Sequence, residues 1–421
     1  MSFNTISVIG LGYIGLPTAA MFASRRKKVI GVDVNQHAVD IINQGQIHIV
    51  EPDLDMIVHA AVTEGYLRAT LEAEPADAFL IAVPTPFKNS ESEIPEPDLT
   101  YIKKASESIA PVIKKGDLVI LESTSPVGAT EKMSEWLAEL RTDLTFPQNS
   151  GEDSDINIAH CPERVLPGHV VRELVENDRV IGGMTAKCSA RAVELYRTFV
   201  QGECVITNAR TAEMAKLTEN SCRDVQIAFA NELSIICDKL DIDVWELISL
   251  ANRHPRINIL QPGPGVGGHC IAVDPWFIVS NTPEEAQIIH TARKVNDAKP
   301  QWVINKVKLA IVDFLQSNPS KTAKDVVVAC YGLAFKPDID DLRESPALNI
   351  SLSIADFHAG KVIAVEPNID ALPNNIDNLQ LKSFDVASHE ADVHLLLVDH
   401  KIFKESKIDS PYLIDTKGIW K

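Results

Sequence analysis

Short apolar runs separated by helix-like stretches fill the first 130 residues. Residues 6–9, 29–32, 79–83 and 118–121 are continuous apolar runs of strand length, and 16–25 reads as a helix between the first two. Strands apolar on both faces, alternating with helices, predict a parallel sheet covered on both sides. Residues 158–161 and 180–182 are expected to be the last strands of this part, and the polar stretch 142–157 a surface loop. From about 211 the period changes: 212–238 and 244–252 are helical, and 284–317 continues that pattern, with Pro300 expected to kink or break it. Near 325 the alternation returns, with strands at 325–331, 362–365 and 393–398 and a helix at 346–357. Each end of the chain has a strand ending in Gly, then a helix, then a strand ending in an acid, Asp33 in the first and Glu366 in the second. The prediction is an α/β fold of two doubly wound domains, 1–205 and 319–421, joined by a helical segment, 206–318.

Composition narrows what such a molecule does. Its 421 residues exceed what one core supports, about 250–300. With 40 Lys and Arg against 58 Asp and Glu the net charge is −18, and no basic block is present, which argues against nucleic acid as a partner. No apolar stretch is long enough to span a bilayer, and the first residues lack a basic region followed by an apolar one, so a cytoplasmic protein without membrane insertion is expected. The seven cysteines form no CxxC pair, and the histidines show no HxH or HxxxH spacing. Reduced, mostly buried thiols and no metal site follow.

The first strand runs directly into Gly10-Leu11-Gly12-Tyr13-Ile14-Gly15. In that GxGxxG turn Gly10 permits the tight bend, Gly12 lets backbone approach a pyrophosphate, and Gly15 lets helix and strand pack closely, while Tyr13 and Ile14 lie within the same cradle. Asp33 ends the next strand, placed for the ribose hydroxyls and repelling a 2′-phosphate, so NAD is the expected cofactor. Thr85 and Thr124 stand at two further strand ends, on the rim where open sheets bind ligands.

The stretch 261–268 holds four Gly and two Pro in eight residues, and presents Cys270 with Asp274 four residues on. A loop so free of side chains gives a ligand access to backbone. Read alone, Cys270 is either a nucleophile or a small apolar residue; at an ordinary thiol pKa only about 3% is thiolate at neutral pH.

These pieces together resemble the nucleotide-sugar 6-dehydrogenases, the UDP-glucose/UDP-mannuronate dehydrogenase family. The likeness runs end to end: Gly10 to Gly15 with Asp33, Val83-Pro84-Thr85-Pro86, Glu122-Ser123-Thr124, Pro162-Glu163-Arg164, the run from Ala212 to Asn220, the loop from Gly263 to Asp274, and Ala334-Phe335-Lys336 through Asp341 to Pro346. The resemblance implies two Rossmann-like domains around a helical dimerisation region and a four-electron oxidation of a UDP-sugar at C6. It implies Cys270 as the nucleophile, Lys216 and Asn220 at the reacting oxygen, Asp274 on a water, and Thr124 and Glu163 in the proton network. For the substrate it implies Arg164, Lys216, Asn220, Arg256, Gly263, Gly267, Phe335 and Lys336, with Arg343 on the cofactor side and Arg256 reaching a partner subunit. His269, beside Cys270, is an alternative base. Two departures from the UDP-glucose branch, Val273 for a Lys and Pro167 for an acid, favour another sugar. The Gly-Gly-His-Cys-Ile-x-Val-Asp-Pro run resembles the branch acting on N-acetylated hexosamines, N-acetylmannosamine foremost, for bacterial surface polysaccharide. The competing readings are a two-electron NAD-dependent dehydrogenase of the hydroxy-acid type and an NAD-sensing regulator.

Overall fold

A computed structural model describes residues 3–49, 51–89, 92–165, 168–268 and 270–420. Contacts divide the chain into two units, Met1–Glu219 with Ser280–Thr282, and Asn220–Val279 with Pro283–Lys421. His269 and Pro167 lie outside the described residues.

The first unit holds an eight-stranded sheet of β1 (Thr5–Ile9), β2 (Lys28–Val32), β3 (Leu67–Thr70), β4 (Ala78–Ile81), β5 (Leu118–Leu121), β6 (Asn157–His160), β7 (Arg179–Gly183) and β8 (Cys204–Asn208), in the order β3-β2-β1-β4-β5-β6-β7-β8. The second holds β9 (Val328–Tyr331), β10 (Val362–Val365), β11 (Gln380–Leu381), β12 (Val393–Leu396) and β13 (Leu413–Asp415), in the order β11-β10-β9-β12-β13. Counted within its own unit, the second sheet repeats the first five positions of the first. The predicted pair of doubly wound α/β sheets is therefore present. The order reverses beside β1 and beside β9, and such a switch point is where open sheets bind ligands.

The two halves also share a turn. Gly10, at φ 91°, donates its N–H to the Val32 carbonyl, and Gly332, at φ 89°, donates to that of Val365. The next N–H in each case goes to the acid closing the second strand: Leu11 to Asp33 at 2.8 Å, Leu333 to Glu366 at 2.8 Å. Each acid's other oxygen accepts the N–H two residues on, from Asn35 and from Asn368. Glu366, one methylene longer, also takes the Ala334 N–H and meets His400 Nε2 at 3.1 Å. Since His400 Nδ1 accepts the Asp338 N–H, the neutral ring carries its proton on Nε2 and donates it to Glu366.

Four expectations need correction. The sheet is not wholly parallel: β7 runs antiparallel to β6, with Ala159 opposite Gly183. Residues 180–182 do not end it, because β8 pairs parallel with β7; β8 is an edge strand whose apolar run, Cys204-Val205-Ile206, is short and mostly exposed. The stretch 142–157 is not simply a loop. It folds into a short helix, Pro147–Ser150, and a 3₁₀ turn, held by Phe146 and Ile156, both buried in the core beside β4 and β5. Its polar composition hides those two anchors. Finally, the helix Gln287–Ser317 runs unbroken through Pro300. Asn296 and Lys299 before it, and Val303 and Ile304 after it, are all buried, and that packing outweighs one lost backbone hydrogen bond.

Of the cysteines, Cys161, Cys188, Cys237 and Cys330 are buried, while Cys222 and Cys270 are exposed. No described helix is long and apolar enough to cross a membrane. No described cluster of His, Cys, Asp and Glu could hold a metal ion.

Two stability predictions follow from the repeated turn. A Cβ at Gly332 would lie 2.4 Å from Val398 Cβ at a φ that side chains rarely adopt. Gly332→Ala should therefore cost about 2 kcal/mol or more in urea unfolding. Glu366 is buried, which opposes its charge, yet the hydrogen bonds from His400 and the Leu333 N–H lower its pKa from 4.5 to about 2. A depressed carboxyl stabilises the fold above its unfolded pKa and loses that contribution as pH falls from about 4.5 toward 2. Glu366→Gln should lose on the order of 2 kcal/mol at pH 7, and the gap from wild type should shrink by pH 3. Equal gaps at the two pH values would contradict this origin.

Candidate active site

In the first unit the cradle after β1 suits a dinucleotide. Gly15 admits no side chain, since its Cβ would sit 1.7 Å from the Gly10 carbonyl oxygen. Gly12 faces open space, with nothing within 4 Å of where a Cβ would stand. Tyr13 is 37% exposed beside it, and Ile14 precedes the helix Gly15–Ser24. Asp33 receives Leu11 and Asn35 N–H groups, which hold its carboxylate at the end of β2. At the ends of β4 and β5 the buried hydroxyls of Thr85 and Ser125 have no hydrogen-bond partner among the described residues. Buried hydroxyls need partners, and a bound ligand supplies them. Thr124, between Ser123 and Ser125, is half-buried. These residues fit NAD, which the cradle, Asp33, Thr85 and Thr124 would hold.

Behind that rim lies a buried charge cluster that sequence reading missed. Because β7 runs antiparallel, its first residue, Arg179, reaches the end of the sheet where β5 and β6 finish. Arg179 contacts Glu163 at 2.6 Å and Glu122 at 3.5 Å, and its guanidinium lies 4.6 Å from the Tyr196 ring centroid. Tyr196 donates to Glu122 Oε1 at 3.0 Å. Burial pushes the Glu122 carboxyl up to about 7; Arg179 opposes that shift and Glu163 adds to it. Glu163 thus has one oxygen on Arg179 and the other on the Arg164 N–H. Arg164 pairs with Glu219 at 2.6 Å. Only the antiparallel strand reveals Arg179, and no sequence spacing marks it.

The helix Ala209–Lys239 carries Lys216 and, one turn later, Asn220. Lys216 is half-buried and has no ion-pair partner among the described residues. Glu213, on the preceding turn, accepts from the Gly128 and Thr130 N–H groups at 2.6 and 2.8 Å, capping the helix Ala129–Leu140. That accounts physically for one acid in the run from Ala212 to Asn220.

In the second unit Asn220 Nδ2 donates to Asp274 Oδ2 at 2.5 Å. Asp274 is 3% exposed and opens the helix Asp274–Asn281, and its N–H reaches the Cys270 carbonyl at 2.9 Å. Asn220, Cys270 and Asp274, read separately from the sequence, are therefore joined, and the Cys270 side of this turn is exposed. Close by in sequence, the loop 261–268 lines a cavity of about 600 Å³ together with Phe335, Lys336, Arg223 and Lys417. That volume is in the range of small-molecule sites. Gly263 and Gly267 both line it, and a Cβ at Gly267 would meet Pro346 Cδ at 2.6 Å and the Glu344 carbonyl oxygen at 2.7 Å. Arg223 and Lys417 add cations that sequence reading did not single out. Arg343 is held by both oxygens of Asp341. Arg256 is exposed, outside the cavity lining.

Comparison with known proteins now bears on this geometry. A curated UDP-N-acetyl-D-mannosamine dehydrogenase of Yersinia pestis is 66% identical over the full length of both chains. An NDP-N-acetyl-D-galactosaminuronic acid dehydrogenase of Ralstonia solanacearum is 62% identical, covering all of this chain and 97% of that one. Among solved structures, the UDP-D-ManNAc dehydrogenase of Pyrococcus horikoshii superimposes with a TM-score of 0.84 at 36% identity, covering 99% of this chain and 96% of that one. Models of the UDP-glucose/GDP-mannose dehydrogenase family match at residues 4–200 for its NAD-binding domain, 210–298 for its central domain and 329–421 for its UDP-binding domain. With the dinucleotide cradle in one unit, and the Gly-rich loop, Cys270 and the cationic cavity in the other, the chain belongs to the UDP-glucose/GDP-mannose dehydrogenase family.

Proposed function

We propose that this protein oxidises C6 of UDP-N-acetyl-D-mannosamine to the uronic acid, supplying a precursor for bacterial surface polysaccharide. The observation that carries the reading is the 600 Å³ cavity formed by the Gly-rich loop, Phe335, Lys336, Arg223 and Lys417, with the Asn220–Asp274–Cys270 turn directly following that loop. Three cations suit a diphosphate, and the glycines let backbone approach it. The residue ranges 1–205, 206–318 and 319–421 are proposed as the cofactor, central and UDP-sugar domains. The sugar rests on the full-length relatives: those at 64–66% identity are named for the mannosamine substrate. The galactosamine epimer is the second reading, supported by the relative at 62%.

Bound NAD supplies the hydride acceptor, two molecules per sugar. The chain's own residues do the rest. Lys216 stabilises the C6 oxygen as it loses its proton. Cys270 Sγ adds to the aldehyde carbon, so the half-oxidised sugar stays attached as a thiohemiacetal. Its oxidation leaves a thioester; water attacks that carbonyl, the C–S bond breaks, and the thiol is restored as the acid leaves. Asp274, held by Asn220 Nδ2, orients that water. The family resemblance assigns Thr124 and Glu163 to the proton network and Arg164 to the substrate, and within the first unit Glu163 is held by Arg179. The family resemblance assigns Arg343 to the cofactor and Arg256 to the partner subunit's substrate.

The working form is a homodimer built on the helix Ala209–Lys239. Phe229 on that helix and Leu240 just past its end are 53% and 61% exposed, and Ile236, Ile242, Leu250 and Ile257 are exposed too. An apolar surface of this extent supports burial against a second copy.

Three measurements test these proposals. A panel of UDP-sugars with NAD, followed at the NADH absorbance, should give two NADH per sugar, with the N-acetylmannosamine compound turned over fastest; one NADH per sugar would favour the two-electron alternative. Cys270→Ser should lower acid formation by at least about a thousandfold, and acid formation at the wild-type rate would exclude the covalent route. Phe229→Glu with Leu240→Glu should give a monomer in sedimentation and a large loss of activity, whereas an unchanged oligomer would remove this face as the interface.

A further inference from the structure

The second unit contains a buried polar ladder that the chemistry above does not use. Arg293, Asp224, Asn296 and Asn231 are each no more than 1% exposed. Arg293 Nη1 donates to Asp224 Oδ1 at 2.5 Å. Asn296 Nδ2 donates to the same oxygen at 2.8 Å and to the Asp224 carbonyl at 3.1 Å. Asn231 Nδ2 donates to Asn296 Oδ1 at 2.9 Å, and Asn231 Oδ1 accepts the Gly263 N–H at 2.9 Å. The ladder therefore joins the helices Ala209–Lys239 and Gln287–Ser317 to the Gly-rich loop.

Its direction is dictated from one end. The Asp224 oxygens facing Asn296 can only accept, so Asn296 must turn its NH₂ toward them and its carbonyl away. Asn231 must then turn its NH₂ toward that carbonyl, which leaves its own carbonyl toward the loop. Any amide flip along the way would set donor against donor or acceptor against acceptor in a site closed to water, costing about 1–3 kcal/mol per unmade bond.

We propose that Asp224, acting through Asn296 and Asn231, is the positioning device of the substrate loop: it polarises the two amides so that the loop is clamped at the Gly263 N–H, ahead of Cys270. Gly263 carries no side chain and is flanked by Pro262 and Pro264, which have no N–H of their own, so this amide is the loop's one backbone donor between 262 and 264. The inference rests on the loop lining the UDP-sugar cavity, as proposed above, but the clamp itself can be measured without turnover.

The test is hydrogen exchange by mass spectrometry on the full-length protein, with peptides covering 258–268, beside steady-state kinetics. Asn231→Leu and Asp224→Leu should each raise exchange in that segment about tenfold, with the first unit unchanged. Both should raise KM for the UDP-sugar about tenfold more than KM for NAD. Asp224→Leu removes both carboxylate oxygens at similar volume, and Asn231→Ala removes the acceptor of the Gly263 N–H without added apolar bulk, so Asn231→Ala decides the matter if Asn231→Leu does not fold. Unchanged exchange at 258–268 in a folded variant, or an equal rise along the whole chain, would overturn the clamp. If no UDP-sugar is a substrate of the wild type, the functional reading fails while the exchange result still decides the clamp.

Discussion

One closure recurs in both halves of the molecule and sets the position of each ligand site. A strand ends in a glycine at positive φ, the chain turns, and a carboxylate at the end of the neighbouring strand takes the N–H groups that the turn leaves unpaired. The glycine is needed because the turn packs against the backbone or side chain following the fourth strand, Ala82 in one unit and Val398 in the other. The carboxylate is needed because an unpaired N–H at that depth has no access to water. Asp33 and Glu366 perform the same task with different reach. Asp33, the shorter, supports a turn that faces open space at Gly12. Glu366, the longer, is further occupied by Ala334 and His400, so its oxygens are committed to protein groups. The repeated architecture thus carries one acid that meets only two backbone N–H groups among the described residues and one that is bound further by Ala334 and His400. The cavity of the second unit is lined by Arg223, Lys336 and Lys417, the last of them paired with Asp399.

Buried charge is the other organising feature. Arg179 in the first unit and Arg293 in the second are both almost fully buried beside carboxylates. Removing such charges from water is costly, and they rarely add stability over an apolar core. What they add here is direction. Arg179 places Glu163 and Glu122 at the rim of the sheet, and Asp224 with Arg293 orients two amides toward the Gly-rich loop. Both devices sit one layer behind the residues given chemical roles, and both join elements far apart in the sequence.

Much of the fold was legible in the chain because its signals are local. Apolar runs of four or five residues marked β1, β2, β4, β5, β10 and β12, and the Ser345-Pro346 pair marked the start of the helix Pro346–Phe357, where Ser345 does cap. The elements missed were those whose apolar signal is exposed or split. The edge strand β8 exposes most of its side chains, and the Phe146 and Ile156 anchors are separated by polar residues. Pro300 carried a strong local preference that packing on both sides of it overrode.

The sequence by itself determined the glycines, the acids that end the neighbouring strands, the cysteine that follows a glycine-rich loop, and the alternation of strand-bearing and helical stretches, because each is read from a short local run. The tertiary structure alone decided that β7 runs antiparallel and delivers Arg179 to Glu163, that Asn220 bonds Asp274 across 54 residues, and that Asp224 governs the amide of Gly263. The hydrogen bonds concerned join groups 16, 54 and 32 residues apart in the chain. No periodicity or spacing encodes them, because the contact exists only once the backbone has brought two elements to within the 3 Å or so that a hydrogen bond requires.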